Sequence, residues 1–97
     1  MFNKLKNIKD LRHQAKQLQS MLSEIIADAD AAWGKVKVKV NGNQEMISIE
    51  IDPEIMTDRE KLQDAIKDAT NSAMKKVQRE AAMAMQKSGN FNLPGLG

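Results

Sequence analysis

The sequence predicts an α+β fold with a long N-terminal helix, a small antiparallel sheet and a long C-terminal helix. Apolar residues recur every three or four positions towards both ends of the chain, as they do on one face of a helix. In the middle they alternate with polar residues, as they do along a strand. The length of 97 residues suits one domain, which we assign to residues 1–90, followed by a tail over residues 91–97.

The first helix is predicted from an apolar seam that begins near the N-terminus. Its members stand at alternating steps of three and four, the a/d spacing of a heptad, and no proline or glycine occurs before Gly34. Such a narrow stripe packs against another helix of a second copy or against the sheet or second helix of its own domain. The seam consists of Ile8, Leu11, Ala15, Leu18, Leu22, Ile25 and Ala29.

A β-hairpin is predicted between Gly34 and Pro53. Apolar side chains alternate on both strands and so share one face, and Asn41-Gly42 tolerates positive φ at the central positions of a tight turn. Asp52-Pro53 ends the second strand, because proline donates no backbone hydrogen bond. A two-stranded hairpin is marginally stable, so it needs a third strand or a partner's strand. Its apolar residues are Val36, Val38, Val40, Ile47, Ile49 and Ile51.

The second helix is predicted to begin at the sequence Thr57-Asp58-Arg59-Glu60 and to run to about Lys87. The threonine hydroxyl and the glutamate carboxylate of this sequence form a capping box. Ser88-Gly89-Asn90 ends the helix, and the proline and glycines of the tail predict a non-helical segment that is either flexible or docked through Phe91 and Leu93. Its apolar side is formed by Leu62, Ile66, Ala69, Ala73, Val77 and Ala84.

Composition excludes several classes of protein. The chain has no cysteine, which removes thiol chemistry and fits the reducing cytoplasm. Charges interrupt the apolar residues of the N-terminus, so we expect no signal peptide, and the sequence contains no apolar run long enough for a membrane helix. Phosphate-binding loops and hydrolase motifs are absent, and His13 stands among cations without a carboxylate cluster. We therefore expect no enzyme activity, metal, cofactor, small-molecule substrate or membrane.

Basic charge is concentrated at the two ends of the chain. Residues 1–20 carry a net charge of +4, residues 42–60 carry −5, and residues 75–97 carry +3. On helices these cations form stripes that can neutralise phosphates, although solvated helix surfaces also carry lysines. A third row, Lys35, Lys37 and Lys39, could instead protect a sheet edge. The candidate phosphate contacts are Lys4, Lys6, Lys9, Arg12, Lys16, Lys75, Lys76, Arg79 and Lys87.

The scarcity of large side chains favours a homodimer. Trp33, Phe2 and Phe91 are the only aromatic residues, so a single copy would bury little apolar area. None of them is interleaved with the basic stripes, which disfavours base stacking and therefore RNA or single strands. We expect core or dimer contacts from Ile8, Leu11, Leu18, Leu22, Val36, Val38, Val40, Ile47, Ile49, Ile51, Ile66, Ala73 and Val77.

Taken together, these motifs resemble the YbaB/EbfC family of nucleoid-associated proteins. The resemblance covers essentially the whole chain and is carried by the order and spacing of its parts. These are the Met-Phe start with its Gln- and Met-rich helix, Val36-Lys37-Val38-Lys39-Val40-Asn41-Gly42, Ile49-Glu50-Ile51-Asp52-Pro53-Glu54, Asn71-Ser72-Ala73-Met74-Lys75-Lys76-Val77 and Leu93-Pro94-Gly95.

The resemblance implies a cytoplasmic, nucleoid-located homodimer that binds duplex DNA between projecting helices and affects compaction and gene expression. By position, its DNA contacts would be the basic residues of Phe2 to Ser20 and of Lys75 to Lys87. Family members usually have a Gly- and Ser-rich turn after a short first strand, whereas Asp28 to Gly34 here contains one glycine. Either Ile25 to Asp28 is that strand, or alanine propensity extends the helix to about Ala32.

Two functions follow from this sequence. The first is duplex DNA binding by a homodimer with little sequence specificity, through the basic stripes. The second is a protein-interaction dimer that holds a partner on the heptad seam and on the methionine-rich face of the second helix, where Met74, Met83 and Met85 lie. The salt dependence of DNA binding separates the two.

Overall fold

The structure, a computed structural model, describes residues 2–87, with side chains from residue 10 onward. The elements in order are α1 (Phe2–Glu24), β1 (Ile26–Ala31), β2 (Val36–Asn41), β3 (Met46–Ile51), a 3₁₀ helix (Pro53–Thr57) and α2 (Arg59–Lys87). The strands form an antiparallel sheet in the order β1-β2-β3. The predicted α+β class is confirmed, while the tail assigned to residues 91–97 lies outside the described residues.

The segment whose conformation the sequence left open is the strand β1. Ala27 and Ala29 point into the core with 4% and 8% of their surface exposed, and Asp28 and Asp30 point outward. The alternative, in which the helix continues to about Ala32, is wrong. Burial of every second residue and six cross-strand pairs with β2 outweigh the helix propensity of alanine, which is a weak preference.

Helix α2 packs on one face of the sheet, over β1 and β2. Its buried residues are Ala65, Ala69, Ala73 and Val77, which recur every fourth position and so form one row. Ile55 contributes to the core from the 3₁₀ helix, and neither it nor Ala65 was predicted from the sequence. The largest fully buried side chains are only valines, namely Val36, Val38, Val40 and Val77.

Strand β3 lies beyond the reach of α2. Ile49 and Ile51 pair with Val38 and Val36 across the sheet, so they share the core face, as the alternation predicted. Yet Ile49 remains 40% exposed, because the principal contacts of α2 are with β1 and β2. Ile47, at the bulge in β3, is also exposed. The core face of the sheet is therefore only partly covered within one protomer.

The predicted tight turn at Asn41-Gly42 is wrong. Positive φ occurs at Gln44 (62°) and not at Gly42, which corresponds to a type I turn followed by one left-handed residue. Asn41 is 8% exposed, and its Oδ1 accepts hydrogen bonds from the amides of Asn43 (3.0 Å) and Glu45 (3.1 Å). This turn is longer than predicted because the asparagine side chain stabilises it from inside.

Gly42 instead allows the end of α1 to approach the sheet. Its amide donates to the carbonyl oxygens of Leu22 and Ile25, both at 2.9 Å. An added Cβ would lie 2.5 Å from the Leu22 oxygen. The Asn43 amide side chain donates to the Gln19 carbonyl at 3.0 Å. These contacts join α1 to the β2–β3 turn.

The start of α2 also differs from the prediction. Asp58, and not Thr57, caps the helix, since its Oδ1 accepts from the amide of Lys61 at 3.1 Å and its carbonyl from the amide of Leu62 at 3.0 Å. The Thr57 hydroxyl donates to the Glu54 carbonyl at 3.0 Å and so belongs to the 3₁₀ helix. The proline after β3 begins that extra turn, which moves the helix start by one residue.

The β1–β2 turn places three successive residues in the left-handed region. Ala32, Trp33 and Gly34 have φ values of 54°, 60° and 82°, and the Lys35 amide donates to the Ala32 carbonyl at 3.2 Å. The Trp33-Gly34 pair thus occupies the central positions of a type I′ turn, whose twist matches that of the strands. Each residue with a side chain is strained in this region, by about 1–2 kcal/mol.

We expect Gly42→Ala to lower the free energy of unfolding by about 2 kcal/mol, because the added methyl group collides with the backbone of α1. Urea denaturation followed by circular dichroism measures the change. Ser48→Ala, on the exposed face of β3, is the control and should change stability by less than about 0.5 kcal/mol. Equal stabilities of the Gly42→Ala variant and the parent would contradict this account of α1 docking.

Ala32→Gly should raise the free energy of unfolding by about 1 kcal/mol, because glycine adopts positive φ without strain. The same denaturation assay applies. Ala29→Gly is the control, since that residue lies within β1 and glycine there should destabilise the sheet. Destabilisation by both substitutions would show that the turn at Ala32 is not strained.

Candidate nucleic-acid interface

The structure leaves much of the predicted α1 seam exposed. Leu11 is 49% exposed, and Leu18 and Leu22 are half-buried. Gln14 and Met21 are half-buried as well, whereas Ala15 is exposed, so the less accessible face of α1 is rotated from the predicted seam. This face remains an expected contact surface, and the side chain of Ile8 is outside the described part.

Basic side chains on α1 point into solvent. Arg12 and Lys16 are exposed and stand four residues apart on one flank of the helix. His13 is exposed beside them and hydrogen-bonds through Nε2 to Gln17 Nε2 at 3.2 Å. This placement matches the solvated position that the sequence favoured for His13. The side chains of Lys4, Lys6 and Lys9 lie outside the described residues.

The basic residues of α2 lie where this helix leaves the sheet. Val77 is the last buried residue of α2, and the helix continues to Lys87, about 15 Å further along its axis. Lys75 and Arg79 are exposed and four residues apart, and Lys87 is exposed in the last turn. The basic stripe of α2 therefore begins at the edge of the core and continues on a projecting helical segment.

Lys76 has a second role that the sequence did not reveal. Its Nζ donates a hydrogen bond of 3.1 Å to the backbone carbonyl of Asp28 in β1, 48 positions away. The bond satisfies one acceptor of a strand that has no neighbour on that side within the described sheet. No local pattern links the two residues, because only the packing of α2 on the sheet brings them together.

The row Lys35, Lys37 and Lys39 does not add to a basic surface. Lys37 lies opposite Asp30 and Glu50, and Lys35 Nζ forms an ion pair of 3.0 Å with Glu54 Oε2. Lys39 has Asp28 across the sheet. Edge protection is also the wrong interpretation, because β2 is the central strand. The outer face of the sheet thus has nearly balanced charge.

The net charge changes sign between the region of the α2 start and the C-terminal part of this helix. Residues 54–68 carry five acidic and three basic side chains, whereas three of the four charged residues from Lys75 to Glu80 are basic. The ion pairs of the described side chains involve Lys35 and Lys61, and neither lies in the α1 or α2 stripe. The exposed cations of these stripes therefore keep their full charge available to an anionic partner.

The described residues show neither a metal site nor a membrane-spanning helix. Among them, His, Asp and Glu side chains do not gather into a group of three that could hold a metal ion. Within the same residues, neither α1 nor α2 is long and apolar enough to span a membrane.

Comparison with known proteins assigns the chain to a family of DNA-binding proteins. The family model described as "YbaB/EbfC DNA-binding family" matches residues 1–90. A protein named nucleoid-associated protein from Alkaliphilus metalliredigens is 38% identical over 99% of this chain and 87% of its own length. A protein of the same name from Syntrophobacter fumaroxidans is 38% identical over 98% of this chain and 89% of its own length.

A solved structure shows the same fold. The uncharacterized protein HP0035 from Helicobacter pylori superimposes with a TM-score of 0.69 at 24% identity, over 91% of this chain and 96% of its own. The family description and the names of the relatives are those of DNA-binding and nucleoid-associated proteins, which confirms the expectation of a protein that is not an enzyme. Because the family model matches nearly the whole sequence, this chain belongs to the YbaB/EbfC DNA-binding family.

Proposed function

We propose that the protein is a nucleoid-associated homodimer that binds double-stranded DNA with little sequence specificity, through the basic residues of α1 and of the C-terminal part of α2. It would act in the cytoplasm, on the nucleoid, and contribute to its organisation and to gene regulation. The observation that carries the proposal is the exposed stripe of Lys75, Arg79 and Lys87, which is free of ion pairs in the described structure and begins where α2 leaves the sheet.

The chemistry of these stripes suits the phosphate backbone and not the bases. Lysine and arginine neutralise phosphates and release condensed counterions, which gives affinity on any sequence. Reading of bases needs side chains that reach into a groove and hydrogen-bond the base edges. The stripes contain no aromatic residue for stacking, so single-stranded nucleic acid is a poorer ligand.

The homodimer is supported by the apolar surface around β3. Met46 and Ile49 are 44% and 40% exposed, and Ile51, Ile66 and Met74 line the boundary of the core. A second copy on this side would bury these side chains and complete a core whose own largest members are valines. It would also double the number of basic helices, and linked contacts bind more tightly than separate ones.

The competing function is a protein-interaction dimer that does not bind DNA. Exposed apolar residues on the helices favour it, since Leu11 and Met83 are 49% and 48% exposed. Such a surface binds through apolar burial, which added salt does not weaken by screening, whereas phosphate contacts weaken steeply as salt rises. The following experiment distinguishes the two.

Charge reversal in the α2 stripe should weaken DNA binding. For Lys75→Glu/Arg79→Glu we expect a loss of affinity of at least ten-fold for unrelated duplexes. In fluorescence-anisotropy titrations over a range of salt concentrations, the slope of log affinity against log salt should become shallower by about 0.9 for each phosphate that is no longer neutralised. Both substitutions are on exposed positions, so the fold should be retained.

Arg59→Glu/Lys67→Glu is the matched control for this experiment. It makes the same change of net charge on exposed positions of the same helix, but at the acidic end. We expect it to retain most of the affinity. Equal losses in both double variants would mean that only net charge matters. If neither the two double variants nor the parent bound duplex DNA in low salt, the result would favour the protein-interaction function.

Ile49→Glu should dissociate the homodimer. A carboxylate at this position would be buried without a partner, which weakens association by about 3 kcal/mol, or roughly a hundred-fold. Sedimentation velocity measures the oligomeric state, and circular dichroism checks that the monomer stays folded. Ser48→Glu, on the opposite face of β3, should remain dimeric. An intact dimer of the Ile49→Glu variant would place the interface elsewhere.

A further inference from the structure

The end of the molecule remote from the basic stripes carries a groove that the proposed DNA binding does not use. It lies between the β1–β2 turn and the start of α2. We propose that this groove binds an arginine- or lysine-bearing segment of a partner protein. The residues that would hold the segment are Trp33, Asp64 and Asp68, with Ile55 and Ala65 forming the apolar floor.

The dimensions and lining of the groove suit a side chain and a few flanking residues. Its volume is about 560 Å³, within the range of about 300–1,000 Å³ for ligand sites. Ile55 and Ala65 are buried members of the core and give the groove a rigid base. The indole of Trp33 stands at its border, fully exposed.

The exposure of Trp33 is the first feature that needs an explanation. This residue is the only tryptophan, and the chain has no tyrosine, yet the largest aromatic surface of the protein lies in water. It occupies a left-handed conformation in which glycine would be less strained. An exposed indole face attracts arginine or lysine by a cation–π interaction.

The charge around the groove selects a cation. Its lining contains four carboxylates and two lysines, and both lysines are paired, Lys35 with Glu54 at 3.0 Å and Lys61 with Asp58 at 3.9 Å. Asp64 and Asp68 have no ion-pair partner within residues 10–87. Two unpaired carboxylates beside an indole match a guanidinium or an ammonium group and repel a phosphate.

The position of the groove leaves it accessible when DNA is bound. Asp68 and Asp64 precede Lys75, the first residue of the α2 stripe, by 7 and 11 residues on the same helix, which is about 10 and 16 Å along its axis. A second copy also offers cationic residues, but in the proposed function its stripes are occupied by phosphates. A basic segment of another protein is therefore the occupant that the charges favour, and in that respect the inference rests on the proposed function.

Fluorescence of Trp33 provides a direct test, because no other residue contributes tryptophan or tyrosine emission. The probe is a short peptide of alternating arginine and glycine, titrated in low-salt buffer without DNA. We expect a saturable change of emission that weakens with salt, and no change with the corresponding glutamate–glycine peptide. Asp64→Asn/Asp68→Asn should weaken peptide binding at least ten-fold and leave duplex binding intact.

Asp28→Asn/Asp30→Asn is the matched control, since it removes two exposed carboxylates from the outer face of β1 and should bind the arginine peptide like the parent. The proposal would be overturned if the arginine peptide left the emission of the parent unchanged, or if both double variants changed the affinity for this peptide equally. A second copy would be the occupant of the groove if the emission changed when the protein concentration alone was raised, and if Asp64→Asn/Asp68→Asn suppressed that change. This result would also overturn the proposal. The titration contains no DNA, so its outcome is separate from that of the duplex-binding experiment.

Discussion

The close approach of α2 to β1 is the constraint on which the rest of the structure depends. The buried residues at this contact are mostly alanines, namely Ala65, Ala69 and Ala73 on the helix and Ala27 and Ala29 on the strand. Small side chains let the helix and the sheet lie near each other, but they bury little apolar area. Because of this contact, α2 lies over β1 and β2 and leaves β3 uncovered. A small core and an uncovered apolar strand thus both follow from this packing, and together they support the proposed homodimer.

Charge is separated along the molecule in a way that its small net value of +2 conceals. Lysines on the central strand have carboxylates opposite or beside them, so the sheet contributes almost no field. Among the described residues, cations with neither an ion pair nor a cross-strand carboxylate lie on α1, on the C-terminal part of α2 and, at Arg59 and Lys67, near the start of α2. The carboxylates Asp64 and Asp68 also have no ion pair and lie near the start of α2, where residues 54–68 carry a net charge of −2. In the proposed functions, the C-terminal part of α2 would bind DNA and the groove near its start would bind a cationic segment, although the average charge of the protein suggests neither partner.

Most of the fold could be predicted from sequence, because periodicity is a local signal. The alternation of Val36, Val38 and Val40 and the helical spacing on either side are visible without any partner residue. Strand β1 was ambiguous because alanine favours helices until α2 buries it. The helix cap was predicted one residue too early, at Thr57 instead of Asp58, and the turn after β2 has its positive φ at Gln44 and not at Asn41-Gly42. In the candidate interface, the basic residues were identifiable from composition. The bond from Lys76 to Asp28 and the uncovered Ile49 were not, because both depend on where α2 lies across the sheet.

The attachment of α1 through Gly42 has a mechanical consequence. A helix of 23 residues is about 34 Å long, and its hold on the sheet is concentrated near its last turn, at the amide of Gly42 and the side chain of Asn43. A helix anchored at one end acts as a lever, so a rotation of about 10° at this glycine would move the far end by roughly 6 Å, given the rise per residue of an α-helix. In the proposed homodimer, the spacing between the two copies of α1 would then be controlled from a point that bears no charge. A backbone amide at the base of the helix, and not the lysines along it, would set how wide a duplex fits between them.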